Sequence, residues 1–187
     1  MKGVRMRDFS RERPEFALCG LRCCLCPRFN ADGPSRCPGC GGEDFVSRHP
    51  TCAVETCSKK HGGVAYCFEC GDYPCKRYED IGQVDSFITY RLVHDDLKSA
   101  ASDLDGFLRE LGERKRLLDL LLARYDEGRS KGFYCLASSL LPVDALRSAL
   151  ADADGAPPRD LKEAAKAMKD SLKRKADAIG IGLALRK

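Results

Sequence analysis

Eleven cysteines lie between positions 19 and 75, and eight of them stand in pairs whose spacing suits metal chemistry. Cys23/Cys26, Cys37/Cys40 and Cys67/Cys70 each enclose two residues. Cys52 and Cys57 enclose four, and Cys19 and Cys75 flank the set. Two intervening residues let the chain turn so that both sulfurs reach one ion while backbone N–H groups point at them. Two such pairs make a tetrahedral zinc site with Zn–S near ~2.3 Å. Proline and glycine in "CPGC" and "ECGDYPC" suit the turns. The simplest sequential grouping puts Cys23, Cys26, Cys37 and Cys40 on one ion and Cys52, Cys57, Cys67 and Cys70 on a second. Cys19 and Cys75 then replace a ligand, build a further site or cross-brace the two, and spacing does not choose among these. The candidate ligands are therefore Cys19, Cys23, Cys26, Cys37, Cys40, Cys52, Cys57, Cys67, Cys70 and Cys75, with about two zinc ions per chain expected. His49 and His61 read as loop residues. Cys24 points away from any ion held by Cys23, and Cys135, on an apolar helix, reads as a small hydrophobe.

Thiols have other uses. Disulfides need an oxidising compartment. The start, "MKGVRMRDFSRERPEF", is basic with no apolar stretch behind it, so no signal peptide is read. No apolar run approaches membrane-spanning length, since Asp119 interrupts "LLDLLLA". A cytoplasmic chain with reduced thiols is the expectation, which favours metal over disulfides. Cys19-x3-Cys23-x2-Cys26 resembles the spacing by which radical S-adenosylmethionine enzymes hold a four-iron cluster. Those enzymes need a β/α barrel, and no alternating strand–helix series follows here. An iron–sulfur cluster of another kind, for electron transfer or redox sensing, is the alternative cofactor, because thiolates serve both metals.

The chain has 187 residues, 12 cysteines and a formal charge of +4. Residues 1–78 hold thirteen Lys/Arg against nine Asp/Glu, and residues 79–187 hold nineteen of each. The excess thus travels with the cysteines. A divalent ion held by four thiolates carries a net −2, so this charge reads as a counter-charge to thiolate sites. That disfavours a nucleic-acid partner.

Composition divides the chain into a basic N-terminal segment (1–18), a cysteine-rich metal-binding module (19–78) and a helical domain (79–187). The fold class is mainly α with a small, irregular, metal-stabilised module. "ADGPSRCPGCGGED" reads as turns, and such a segment needs cross-links or metal to fold. Beyond Tyr78, "DSFITYRLVHDDL" predicts a helix with Phe87, Ile88 and Leu92 inward. Ser102, Asp103 and Asp105 mark a second helix start. Leu104, Phe107, Leu108, Leu111, Leu118, Leu121, Leu122 and Tyr125 then recur at helical spacing. "FYCLASSLL" and "VDALRSAL", separated by Pro142, predict two more helices, and "ADGAPPRD" a linker. A last helix carries Leu161, Ala165, Met168, Leu172 and Ile179 on one face, and Gly180 suits its C-cap. Its lysines (162, 166, 169, 173 and 175) form a solvated face. "IGLALR" is a short strand or a packed tail.

"CGLRCCLCPRF", "CPGC", "CAVETC" and "AYCFECGDYPCKRY" together resemble a family of cysteine-rich bacterial and archaeal proteins carrying a domain of unknown function and taken to bind zinc. The pattern maps onto the ten candidate cysteines, with Cys24 additional. The resemblance implies metal binding and supplies no reaction. Outside the cysteines, Asp126, Arg129, Lys131, Tyr134 and Cys135 in "YDEGRSKGFYC" could converge on an anion or a small substrate, but the plainer reading is a helix end capped at Gly128, a loop and a new helix start. No Gly-rich phosphate loop, nucleophile elbow or H-E-x-x-H occurs, and no catalytic constellation is identified. The sequence therefore predicts a zinc-binding or scaffold module with a protein partner of unknown kind and no membrane.

Overall fold

A computed structural model describes residues 9–49, 52–154 and 160–187. Among them the chain is mainly α-helical, with no strand. Two short helices, α1 (Phe45–Arg48) and α2 (Ala53–Lys60), lie among the cysteines with three single 3-10 turns at Cys23–Leu25, Cys67–Glu69 and Lys76–Tyr78. Five longer helices follow: α3 (Val93–Ser102), α4 (Leu104–Tyr125), α5 (Lys131–Leu140), α6 (Val143–Asp154) and α7 (Leu161–Asp177).

Local chemistry sets several boundaries. Asp103 caps α4, its carboxylate accepting from the Gly106 N–H at 2.9 Å. Asp160 does the same for α7 through Glu163. Both are the short acceptors that helix starts favour. Proline at 142 cannot continue α5, and α6 begins at the next residue.

Three sequence expectations change. The helix expected over "DSFITYRLVHDDL" begins only at Val93. The preceding residues are instead organised by the Asp85 carboxylate, which accepts from Thr89 Oγ1 at 3.1 Å and Tyr90 N at 2.9 Å. Ile88 is buried as expected, but Phe87 is 49% exposed. The buried face of α7 is Ala165, Met168, Leu172 and Ala176; Leu161, at the first position, and Ile179, beyond the last, are exposed. Two of its expected solvated lysines are paired within the chain: Lys169 with Glu127 and Lys175 with Asp152. Most of the expected linker, residues 155–159, lies outside the described residues.

"IGLALR" is a packed tail. The Arg91 guanidinium donates to Gly182 O at 2.7 Å and to Ala184 O. Asp85 and Arg186 exchange contacts: Asp85 N donates to Arg186 O (3.0 Å) and Arg186 N to Asp85 Oδ2 (2.8 Å). Burial opposes ionisation of Asp85. The hydrogen bonds from Arg186, Tyr90 and Thr89 outweigh it and hold the carboxyl down at about 2, against an ordinary 3.8. A depressed carboxyl stabilises the fold above its unfolded value, and that contribution is lost as pH falls from about 4 to about 2. Asp85→Asn is expected to cost about 1–3 kcal/mol at neutral pH, since buried donors lose their charged acceptor. Urea unfolding at neutral pH and again near the acid limit checks this: the two chains should converge in acid. An equal difference at both values would contradict it.

One core runs through the cysteine-rich segment and the helices. Phe16, Cys24, Leu25, Tyr66 and Tyr78 share it with Leu97, Leu118, Tyr134, Leu141 and Met168. The segment expected only to be a basic arm supplies Phe16, Ala17 and Leu18, all buried, while residues 1–8 lie outside the described residues. Gly20 explains how the first cysteine loop reaches α3. Its φ is +91°, and a Cβ there would lie 2.7 Å from Leu97 Cγ, so only glycine fits both the turn and the contact. Between the same loop and the helices lies a buried ion pair. Arg22 donates through Nε and Nη2 to the two oxygens of Asp96 at 2.7 and 2.6 Å, and through Nη1 to Ser139 O at 2.8 Å. Next to it Arg114 donates to Ser138 O and Leu141 O at 3.0 and 2.6 Å.

A candidate thiolate centre

Backbone hydrogen bonds fold the cysteine segment back on itself. Cys40 N donates to Pro14 O (2.9 Å), Cys37 N to Arg28 O (2.9 Å) and Cys67 N to Leu18 O (2.8 Å). The Cys40 turn needs Gly39 at φ +86°, where a Cβ would lie 2.3 Å from Pro14 O. Residues far apart in sequence thereby become neighbours.

Cys19, Cys23 and Cys40 gather around a small apolar cluster made by Ala17 and Leu18, edged by Phe9, Leu21 and Val54, and Cys67 packs against the same cluster. Burial pushes the Cys19 thiol up to about 12; Cys40 adds to this, the Leu21 N–H opposes it, and Cys52 and Cys67 add further. Burial also drives Cys23 well up, with Cys40 and Cys19 next and the Cys40 N–H opposing. Cys40 is raised by burial and held back by the Leu18 N–H and by Arg11, with Cys52 adding to the rise. Arg11 donates to Phe16 O and Ala65 O at 2.7 and 2.9 Å and lies over the Tyr66 ring at 4.7 Å. Its Nε is buried with no hydrogen-bond partner. A guanidinium held beside thiols is a fitting neighbour for thiolates and a poor one for neutral sulfur.

The second gathering is clearer in shape. Cys57, Cys67, Cys70 and Cys75 line one cavity of about 30 Å³, with His61 and Tyr78 also on its wall. Cys67 is raised by burial, opposed by the Tyr78 hydroxyl, and raised further by Cys57, Cys75 and Cys70. Tyr78 also donates to Cys19 O at 3.3 Å, so its hydroxyl lies between the two gatherings. Burial raises that phenol strongly. His61 places Nδ1 2.8 Å from Cys57 O and 3.7 Å from Cys57 Sγ, and Nε2 3.2 Å from Asp72 Oδ2.

Cys26 and Cys37 form a separate pair. Cys26 Sγ accepts from the Arg28 N–H at 3.4 Å. Burial raises this thiol, the Arg28 and Phe29 N–H groups oppose, and Cys37 adds to the rise. Cys24 and Cys135 are core residues, each pushed by burial to about 12. After burial, Cys26 is the largest influence on Cys135, so the fold brings that helix close to the cysteine segment. His49 stacks on Phe45 with centroids 4.8 Å apart.

All twelve cysteines are free thiols. Among the described residues no group of three or more His, Cys, Asp or Glu side chains stands close enough to hold a metal ion. Neither sequential set of four is drawn together into such a group. What is present is a donor set of the right chemistry, in two gatherings and a pair, with backbone amides turned toward sulfur. Tyr78 and Arg11 escaped the sequence reading. The one signal for Tyr78 was its position three residues after Cys75, and Arg11 reaches the cysteines only through the fold.

The polar set around Asp126 does not converge. Asp126 accepts from Gly128 N and Ser130 N at 3.0 and 3.1 Å, capping the loop. Tyr134 is fully buried and donates to Tyr125 O at 3.0 Å. Lys131 lies 3.8 Å from Asp32, and Arg129 is exposed.

Residues 15–80 are a cysteine-rich domain matching the family described as "Protein of unknown function (DUF3795)". The match spans Glu15 to Asp80 and takes in every cysteine except Cys135. No curated protein and no solved structure matches the chain. No described helix is long and apolar enough to cross a membrane.

Proposed function

We propose that the cysteine-rich segment binds zinc through two sets of thiolates and serves as a binding or scaffold module for a protein partner. Cys57, Cys67, Cys70 and Cys75 form one set; Cys19, Cys23, Cys40 and Cys52 form the other. Cys26 and Cys37 stay outside both. The observation that carries this reading is the cavity of about 30 Å³ lined by four cysteines from two sequence motifs. Its size suits one or two small occupants. A four-thiolate zinc ion, when bound, cross-links its segment without offering an open coordination position. These cysteines would hold the ion, with the Tyr78 hydroxyl and backbone N–H groups as hydrogen-bond donors to sulfur and Arg11 as a nearby counter-charge. Asp126 caps its loop, Tyr134 bonds to Tyr125 O and Lys131 faces Asp32, so these polar residues do not converge, which favours binding over catalysis. Twelve free thiols suit a reducing, cytoplasmic setting.

Protein purified without oxygen or chelator should be colourless and carry about two zinc ions per chain. Cys57→Ser and Cys23→Ser should each remove one ion, and Cys26→Ser, Cys24→Ser and Cys135→Ser none. Elemental analysis with visible absorption checks this. Stoichiometric iron and sulfide in a brown solution would replace zinc by a cluster for electron transfer or redox sensing.

A further inference from the structure

Cys26 and Cys37 stand outside both proposed zinc sets, and the fold brings them to one residue. The Arg28 N–H points at Cys26 Sγ, 3.4 Å away, while the Arg28 carbonyl accepts from Cys37 N at 2.9 Å. The charge of Cys37 reaches the Cys26 sulfur and adds to the effect of burial on that thiol. Hydrogen bonds stitch the two flanks of the loop around them. Asn30 Nδ2 donates to Cys24 O and Cys26 O at 2.8 and 2.9 Å, and Asn30 N to Cys26 O at 3.1 Å. On the other flank, Arg36 Nε donates to Phe29 O at 2.9 Å. Residues 27–36 separate the two cysteines, and residues 32–36 are exposed. An exposed stretch with few buried contacts moves at low free energy, so the two sulfurs can close on each other without disturbing the core.

The surroundings suit thiol chemistry. Cys37 is partly exposed, whereas Cys26 is buried at 7% exposure. Arg28 and Arg36 flank the pair, both exposed and each lying over an aromatic ring, Phe87 and Phe29 respectively. Partial exposure beside cations is the setting in which a cysteine reacts as its thiolate. A second thiol at hand then resolves the oxidised sulfur. Cys24 and Cys135 lack that setting, since each is 2% exposed.

We propose that Cys26 and Cys37 form a reversible disulfide in response to hydroperoxides, which gives the chain a peroxide-responsive site separate from its metal thiolates. The Cys37 thiolate attacks hydrogen peroxide. An S–O bond forms, the O–O bond breaks, and hydroxide leaves to become water with the proton that Cys37 gave up. Cys26 sulfur then attacks Cys37 sulfur. The S–S bond forms, the S–O bond breaks, and a second water leaves with the Cys26 proton. The two thiols lose two electrons and the peroxide gains them. A small thiol returns the pair to its reduced form by exchange. The inference concerns the two cysteines that the metal reading leaves out, and it stands whether or not that reading holds.

Full-length protein purified without oxygen or chelator is treated with hydrogen peroxide and its remaining thiols are blocked with N-ethylmaleimide. Peptide mass spectrometry with fragmentation then places each disulfide, and metal content is measured on the same sample. A Cys26–Cys37 bond should be the first to form, should vanish with dithiothreitol, and should leave the metal content unchanged. Cys37→Ser should slow peroxide consumption by at least about tenfold. Cys26→Ser should leave a sulfenic acid on Cys37 that dimedone traps. The map of the unmodified chain stands even where a variant fails to fold. A first disulfide at Cys23–Cys26 or Cys26–Cys135, or a scrambled mixture, would overturn the proposal. Loss of metal in step with the Cys26–Cys37 bond would also overturn it, by making the two cysteines ligands, while metal binding survived. The bond forming in a chain that holds no metal would sink the metal reading alone.

Discussion

Replacing Arg22 by alanine should destabilise the protein by about 3–5 kcal/mol, the usual cost of removing one partner from a buried ion pair. Arg22 sits inside the first cysteine loop, and its guanidinium grips both Asp96 oxygens and Ser139 O, joining that loop to α3 and α5. Its side chain is 11% exposed and that of Asp96 is 6%. Alanine leaves a desolvated carboxylate with no cation in contact and a carbonyl without its donor. The nearby Arg114 is committed to Ser138 O, Leu141 O and Glu110, so it cannot swing across without losing them. Burial already pushes the Asp96 carboxyl up, against opposition from Arg22. Denaturant titration measures the loss. The double variant Arg22→Met with Asp96→Leu should recover most of it, because a matched apolar pair carries no stranded charge. A single Arg22→Ala change costing less than about 1 kcal/mol would place this pair with ordinary surface bridges.

Metal removal should have the other large effect. Structural zinc in small domains contributes folding free energy outright, with apparent binding of about 10–16 kcal/mol in isolated zinc-finger peptides. Amide protection across residues 15–80 should fall on chelation. It should also fall in α3, because Gly20 and Arg22 dock there and because Cys24, Leu25 and Tyr78 are part of the same core as Leu97 and Leu118. The far helices, α6 and α7, pack mainly on each other and on α4 and should keep their protection. Hydrogen exchange read by mass spectrometry, with and without a strong chelator, separates these regions. Unchanged protection in α3 would mean that the core shared across the two segments does not couple them.

That prediction differs from what the sequence alone suggests, and the difference shows what was legible. Composition divides the chain near Tyr78, so an independently stable helical part is the natural expectation. The helices themselves were legible, because apolar periodicity and the acceptor at Asp103 act locally. So were the cysteines, through their spacing. The contacts that join the regions were not. Arg22 meets Asp96 74 residues on, and Asp85 meets Arg186 101 residues on. Single polar residues carry no period, and nothing in their neighbours marks their partners. The grouping of cysteines failed to show for the same reason: Cys19 turns toward Cys40 because Gly39, Pro14 and Leu18 fold the chain back, not because of any interval between the two. Ile179 was misread for a simpler cause. The apolar period continues through it, but α7 ends at Asp177, and Ala176 is the last residue of the buried face.

On the proposed function, sulfur from these cysteines is the ligand of a bound metal. X-ray absorption at the metal edge, on protein purified without oxygen or added chelator, tests it most directly. The expected result is a zinc edge and a first shell of four sulfur neighbours at ~2.3 Å, with no light-atom shell. Protein without stoichiometric metal, or zinc surrounded mainly by nitrogen and oxygen, would contradict it.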